Sequence, residues 1–258
     1  MAEVRVLVLR SPGANCDEET AYAFEQAGGR PERIHIHRLL ESPDVIGKYQ
    51  IFVVPGGFSY GDDVAAGRIL AILLKTRLRD ELFAFRDSGG LMLGVCNGFQ
   101  VLLQTGLLVE PDDEGRATAT LALNEHGRFE ARWVHLAMTP GLCAFVQAEE
   151  ILTMPIAHAE GRFIVRRPES LDAWSKERRI VARYVDANGN PGGFPINPNG
   201  AMGDVAGICD STGRVFALMP HPERHIFPEQ HPRWTRRSTQ PAEGDGLRLF
   251  RNAVEYFH

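Results

Sequence analysis

The segment Leu91-Met92-Leu93-Gly94-Val95-Cys96-Asn97-Gly98-Phe99-Gln100 constrains the fold more than any other part of the chain. An unbroken apolar run of strand length enters Gly-x-Cys-x-Gly, and a helical pattern follows as far as Thr105. Such a run, without polar alternation, reads as a strand buried on both faces, which belongs in a parallel sheet covered by helices. The glycines on either side of Cys96 have a steric reason. A sharp strand-to-helix elbow brings neighbouring backbone segments together, and a Cβ at either position would clash. The elbow lifts the thiol above the sheet edge and sets it at a helix N-terminus, whose positive end favours the anionic, nucleophilic form. Cys96 is therefore the candidate nucleophile. Cys16, Cys143 and Cys209 lack this setting and read as structural.

The first half repeats the same logic. Val4 to Leu9 predicts a first strand stopped by Ser11-Pro12-Gly13, with a helix capped by Asp17 running through Phe24 to Gly28-Gly29. Ile34 and Ile36 alternate with His35 and His37 as a second strand, and Ile51 to Val54 forms a third, ended by Pro55-Gly56-Gly57. Leu70, Leu74, Leu78, Leu82 and Phe85 line one face of a helix. Strand-helix alternation of this kind predicts a mostly parallel sheet between two helical layers. The second half changes character. Strands are predicted at 118–123, 129–136, 151–154, 180–185, 205–209 and 215–218, helix signals are sparse, and Leu247, Phe250, Val254 and Phe257 stripe a final helix. No repeat or composition break marks a linker, so one domain over 1–258 is expected.

Composition excludes several classes. With 258 residues and 44% hydrophobic content the chain can bury a full core without disulfides or metals. A net charge of -5 argues against a general nucleic-acid binder. No apolar run spans a bilayer and no secretory signal is evident, which predicts a cytoplasmic protein with its thiols reduced.

A cysteine nucleophile needs a proton acceptor that later donates. Met219-Pro220-His221-Pro222-Glu223 follows the strand at 215–218, and site residues collect at such carboxyl ends. Pro222 biases His221 toward extended backbone, which places Glu223 on the same side, in reach of the imidazole. Alone the tripeptide is equally a capped turn; the cysteine elbow gives it meaning. An oxyanion hole needs two donors. The Asn97 N–H comes with the elbow, and the glycine-rich loop Pro55-Gly56-Gly57-Phe58-Ser59-Tyr60-Gly61-Asp62 offers a second. His221, His225 and His231 lie close in sequence, but no cysteine pair accompanies them and no metal site is expected there.

Together Pro-Gly-Gly at 55–57, Gly-x-Cys-x-Gly-x-Gln at 94–100 and His-Pro-Glu at 221–223 resemble class I glutamine amidotransferases. The strings PGANCD at 12–17, PGGFSYGDD at 55–63, GVCNGFQ at 94–100, HAEGR at 158–162, NPNG at 197–200 and MPHPER at 219–224 are similar to the amidotransferase subunits of phosphoribosylformylglycinamidine synthases, over nearly the whole chain. The resemblance implies a three-layer, flavodoxin-like α/β fold with additional antiparallel strands in the second half. It implies that Cys96 attacks the glutamine side-chain amide, that the Gly57 and Asn97 N–H groups hold the oxyanion, and that His221, oriented by Glu223, protonates the departing ammonia. It places Phe58, Gln100, His158, Glu160 and Gly161 around the glutamine. It implies no cofactor in this chain, with ATP and magnesium on a large synthase subunit that receives the ammonia, and a small third subunit in the complex. Two rival readings share the elbow: a stand-alone cysteine hydrolase of γ-glutamyl compounds or peptides, and a binding module without catalysis. The stretch 224–241, with Arg224, Arg233, Arg236, Arg237, Trp234 and three prolines, reads either as a solvated excursion or as a docking surface.

Overall fold

The structure is a computed structural model that describes residues 3–236 and 241–258. The first half contains β1 (Arg5–Arg10), α1 (Asp17–Gln26), β2 (Arg30–His35), α2 (Ile36–Glu41), β3 (Ile51–Val54), α3 (Arg68–Arg77), α4 (Arg79–Asp87), β4 (Leu91–Val95) and α5 (Asn97–Thr105). The second contains β5 (Ala119–Ala122), β6 (Glu130–Met138), β7 (Glu150–His158), β8 (Arg162–Val165), α6 (Glu169–Lys176), β9 (Ile180–Val185), β10 (Val205–Cys209), β11 (Val215–Leu218) and α7 (Leu247–Glu255).

One nine-stranded sheet runs in the order β2-β1-β3-β4-β11-β10-β9-β6-β7. Its neighbours are parallel from β2 to β11. From β11 to β7 they are antiparallel, so the extra strands of the second half extend the same sheet. β5 and β8 pair separately. Every residue of β3, β4 and β11 is buried, as strands covered on both faces must be. α1 packs on α7, with Phe24 and Phe250 edge to face at 4.9 Å, and α3 packs on α5. Among the described residues no helix is long and apolar enough to cross a membrane.

The structure departs from the sequence reading at several points. The leucine stripe from Leu70 to Phe85 is broken at Leu78 (φ -134°, ψ 13°), which divides it between α3 and α4 although Leu82 and Phe85 remain buried. Asp17 lies inside α1 rather than capping it, and its carboxylate faces Arg10 and Arg33 at 3.7 and 3.5 Å. The second strand ends at His35, whose Nδ1 accepts the His37 N–H and caps α2, so Ile36 and His37 are helical. β7 extends well past the predicted 151–154, through Pro155; it is an edge strand, where proline costs no ladder bond. β8 and α6 escape the sequence reading because β8 is a short, half-buried run that opens on Arg162, and α6 buries a single residue, Trp174.

Candidate active site

The carboxyl ends of β3, β4 and β11 are neighbours in the parallel part of the sheet, so the segments that follow them converge. At the end of β4, Cys96 adopts φ 51°, ψ -104°, a strained conformation for a residue with a Cβ. The Cys96 N–H donates to Leu218 O of β11 at 2.8 Å, and its side chain is buried against Ala157 O. The elbow glycines are sterically required. A Cβ on Gly98 would sit 1.8 Å from Val54 O, and one on Gly94 2.7 Å from Gly98 O. The first N–H groups of α5, including that of Asn97, have no acceptor within the helix.

The loop after β3 closes over this elbow. Gly57 has φ 133° and packs so tightly on residues 13–15 that a Cβ would meet Asn15 N at 2.6 Å. Gly56 packs against His221 Cε1. The Asn97 side chain ties loop and elbow together. Its Oδ1 accepts the Ser59 N–H at 3.2 Å and the Ser59 hydroxyl at 2.6 Å. Its Nδ2 donates to Asp62 Oδ1 at 3.1 Å and to Gln100 Oε1 at 2.9 Å. Both hydrogens and the oxygen of one buried amide are thereby used. Burial raises the Asp62 pKa, although the Gly67 N–H and the Asn97 amide stabilise its charge.

His221 follows β11 and is 2% exposed. Its Nδ1 lies 2.6 Å from Glu223 Oε1. The contact forms differently from the sequence argument: His221 is partly extended (φ -105°, ψ 89°), but Pro222–Arg224 is a turn of 3₁₀ helix that folds the carboxylate back onto the ring. Burial works against the imidazolium. Glu223 and Cys96, with the Cys16 thiol beside them, outweigh it and hold the His221 pKa well above its usual value.

His158 ends β7 and is buried. Asn124 Nδ2 donates to the carbonyls of Arg128 and His158, so its Oδ1 is the acceptor for the Gly161 N–H at 3.2 Å and for His158 Nδ1 at 3.1 Å. That partner fixes the tautomer: Nδ1 carries the proton and Nε2 presents a lone pair, buried and without a hydrogen bond among the described residues. Burial, reinforced by the charge of His221, depresses the His158 pKa to about 3, so the ring is neutral. Gly161 packs on this ring so closely that a Cβ would approach Cε1 to 2.2 Å. Gln100 Nε2 donates to Glu160 O at 2.6 Å, which joins α5 to the 158–161 segment, and Asn199 of the NPNG string holds Gly161 O at 2.8 Å.

The structure thus gathers Cys96, Asn97, Gly57, His221, Glu223, Gln100 and the 158–161 segment into one region. Phe58 is the outlier: it is tied through its backbone to Gly13 O, while its side chain is half-exposed at the rim. A cavity of about 490 Å³ opens beside Gln100 and Glu160, but Cys96, His221 and Glu223 do not line it. A cavity of about 870 Å³ lies between residues 125–130 and 191–200 and is lined by none of the candidate catalytic residues. Part of the 224–241 stretch is packed onto the domain rather than solvated. His225, Ile226 and Pro228 are buried, and Trp133 stacks edge-on with His225 and His231 at 5.0 and 4.8 Å. Arg237 lies outside the described residues.

Three participants were missed by the sequence reading. The sequence marks Asn97 only for its backbone N–H, Asn124 carries no motif, and Cys16 lacks the setting of a nucleophile. Yet Cys16 caps α1 beside His221; it accepts from Arg224 Nη2 at 3.1 Å, and Arg224 is held by Glu19. Burial first, offset in part by His221, raises the Cys16 pKa to about 11. The PGANCD string was the signal that marked it.

A doubly covered parallel sheet carrying a cysteine on a strained elbow beside a buried His–Glu pair defines an α/β enzyme class built for covalent attack on acyl groups. The comparisons with known proteins narrow that class. Residues 3–257 match the model of the CobB/CobQ-like glutamine amidotransferase domain. The phosphoribosylformylglycinamidine synthase subunit PurQ of Dehalococcoides mccartyi is 46% identical over 258 residues, covering 99% of this chain and 98% of that protein. The PurQ subunit of Methanococcus maripaludis is 41% identical over 98% of this chain and 97% of its own. The chain belongs to the PurQ family of glutamine amidotransferases. Among solved structures, a chain of the PurLQS structure from Thermotoga maritima matches it with a TM-score of 0.73 at 28% identity, over 100% of both chains.

Proposed function

We propose that this chain is the glutaminase of a phosphoribosylformylglycinamidine synthase, working as one amidotransferase domain that releases ammonia for a synthase partner in purine biosynthesis. The observation that carries the reading is the Cys96 elbow set beside the His221–Glu223 pair with its 2.6 Å bond. The Cys96 sulfur attacks the carboxamide carbon of glutamine. The oxygen takes up negative charge beside the Gly57 and Asn97 N–H groups. As the tetrahedral carbon collapses, the C–N bond breaks and the His221 proton goes to the departing nitrogen, which leaves as ammonia. The neutral imidazole then takes a proton from water, the hydroxide attacks the γ-glutamyl thioester, and glutamate and the Cys96 thiol are restored. Glu223 keeps the imidazole in the required tautomer throughout.

The bare Nε2 lone pair of His158 accepts an N–H of the substrate, and Gln100, Glu160 and Gly161 shape the pocket around it; Phe58 covers its rim. ATP and magnesium belong to the partner, named PurL in the relative's PurLQS complex, which also contains PurS. The reaction belongs to the cytoplasm. A stand-alone hydrolase of γ-glutamyl compounds is the alternative; it shares the elbow but gives no reason for the near-complete match to PurQ subunits.

The decisive experiment measures glutamate release from glutamine by the chain alone and with the large synthase subunit, with Cys96→Ala as the control. Release that requires Cys96 and rises with the partner is expected. Full activity of the isolated chain, unchanged by the partner, overturns the division of labour; greater activity on γ-glutamyl peptides favours the alternative.

A further inference from the structure

We infer that Cys16, His221 and Glu223 form a binding site for a soft divalent cation of the zinc type, whose occupation withdraws the His221–Glu223 pair from catalysis. The Cys16 sulfur, a ring nitrogen of His221 and a carboxylate oxygen of Glu223 all lie within 4.8 Å of one another. A tetrahedral ion with bonds of about 2.0–2.3 Å sets its ligands roughly 3.3–3.8 Å apart, so side-chain adjustments of an ångström close the site. All three side chains are buried, at 1%, 2% and 2% exposure, and are fixed by their elements: Cys16 at the start of α1, the other two after β11. Among the described residues Glu223 Oε2 is buried without a hydrogen-bond partner, an acceptor left open within the cluster.

The donor set selects the ion. One sulfur, one imidazole and one carboxylate suit zinc or cobalt, and a thiolate excludes magnesium and calcium as serious competitors. Three protein ligands leave a fourth position for water. Binding releases the Cys16 thiol proton and one His221 ring proton to solvent, and the Arg224 guanidinium, 3.1 Å from the sulfur and anchored by Glu19, remains as the outer-shell donor to the sulfur. The site joins residues far apart in sequence. A search for ligands along the chain, which stops at His221, His225 and His231, does not encounter it.

The test uses the full chain carrying Cys96→Ala, so that the proposed nucleophile contributes no sulfur and metal rather than glutamate is read. Titration with cobalt(II) is expected to give one tight equivalent with a near-ultraviolet sulfur-to-cobalt charge-transfer band, displaced by zinc and unaffected by magnesium. Adding Cys16→Ser should abolish the band and weaken binding by more than the roughly 10–100-fold that loss of an outer-shell partner costs. Persistence of the band in the double variant would assign the metal to Cys143 and Cys209 and overturn the proposal, as would a band that needs Cys96. Should the double variant fail to fold, His221→Ala in the Cys96→Ala chain gives the same reading: undiminished binding sinks the site. Failure of the glutaminase reading would appear separately, as absent glutamate release from the metal-free wild type.

Discussion

The parallel and antiparallel parts of the sheet build their shares of the site by different means. On the parallel side, position comes from the backbone. Cys96 is held at positive φ, Gly98 lets α5 press on Val54 O, and Gly57 lets its loop press on residues 13–15. On the antiparallel side, position comes from side-chain amides: Asn124 and Asn199 grip the backbone of 158–161, and Gln100, itself held by Asn97, reaches across from the elbow to meet it. The lesson is one of tolerance. Backbone contacts at 1.8 to 2.7 Å from an added Cβ admit no substitution without moving the neighbouring backbone. Hydrogen bonds fail one at a time, and the segment they hold loosens rather than breaks.

That contrast yields predictions of decreasing size. Cys96→Ala should reduce glutamate release by about 10⁴-fold or more, with little change in unfolding midpoint, since a strained Cβ-bearing residue is retained. Gly98→Ala should destabilise the fold by about 2–3 kcal/mol in denaturant titration, because Val54 O must retreat; an unperturbed midpoint would show that the parallel side is as yielding as its counterpart. Asn124→Ala should raise KM for glutamine about tenfold while kcat changes less, as expected when the pocket rather than the nucleophile is loosened. A fall in kcat alone would erase the distinction between the two sides. The last effect vanishes at neutral pH and emerges only in acid. His158 has a folded pKa of about 3, below the ordinary 6.5, so the unfolded chain takes up its proton first. Its contribution is complete above that ordinary value and is lost as the pH falls toward about 3. Relative to His158→Gln, wild-type stability should fall with an extra slope of up to about 1.4 kcal/mol per pH unit in that window.

The parallel half was legible in the sequence because its signals are local. A covered strand is a run of apolar residues, and an elbow between glycines is visible in five letters. β3, β4, α5 and β11 therefore stand where periodicity and turn residues put them. β2 and β7 were misjudged at their ends for an equally local reason: His35 caps a helix, and Pro155 interrupts a strand without ending it. What stayed hidden depends on distance along the chain. Asn124 meets Gly161, Gln100 meets Glu160 and Cys16 meets Arg224 only after the sheet has assembled, and each polar residue alone looks like any other turn or cap residue. His221 and Glu223 can be paired from sequence because they are two residues apart, though the segment that joins them is a 3₁₀ turn and not the extended run that Pro222 predicts.

The Asn97 amide has a mechanical consequence. One residue supplies a backbone N–H at the start of α5 and, through its side chain, anchors the loop that carries Gly57. The two arms of the proposed oxyanion hole are thus coupled like the jaws of a caliper locked by one screw: thermal motion can carry them about together, but the gap between them hardly varies. Its width is set before any substrate arrives, and loosening it requires breaking the contacts of a single buried side chain.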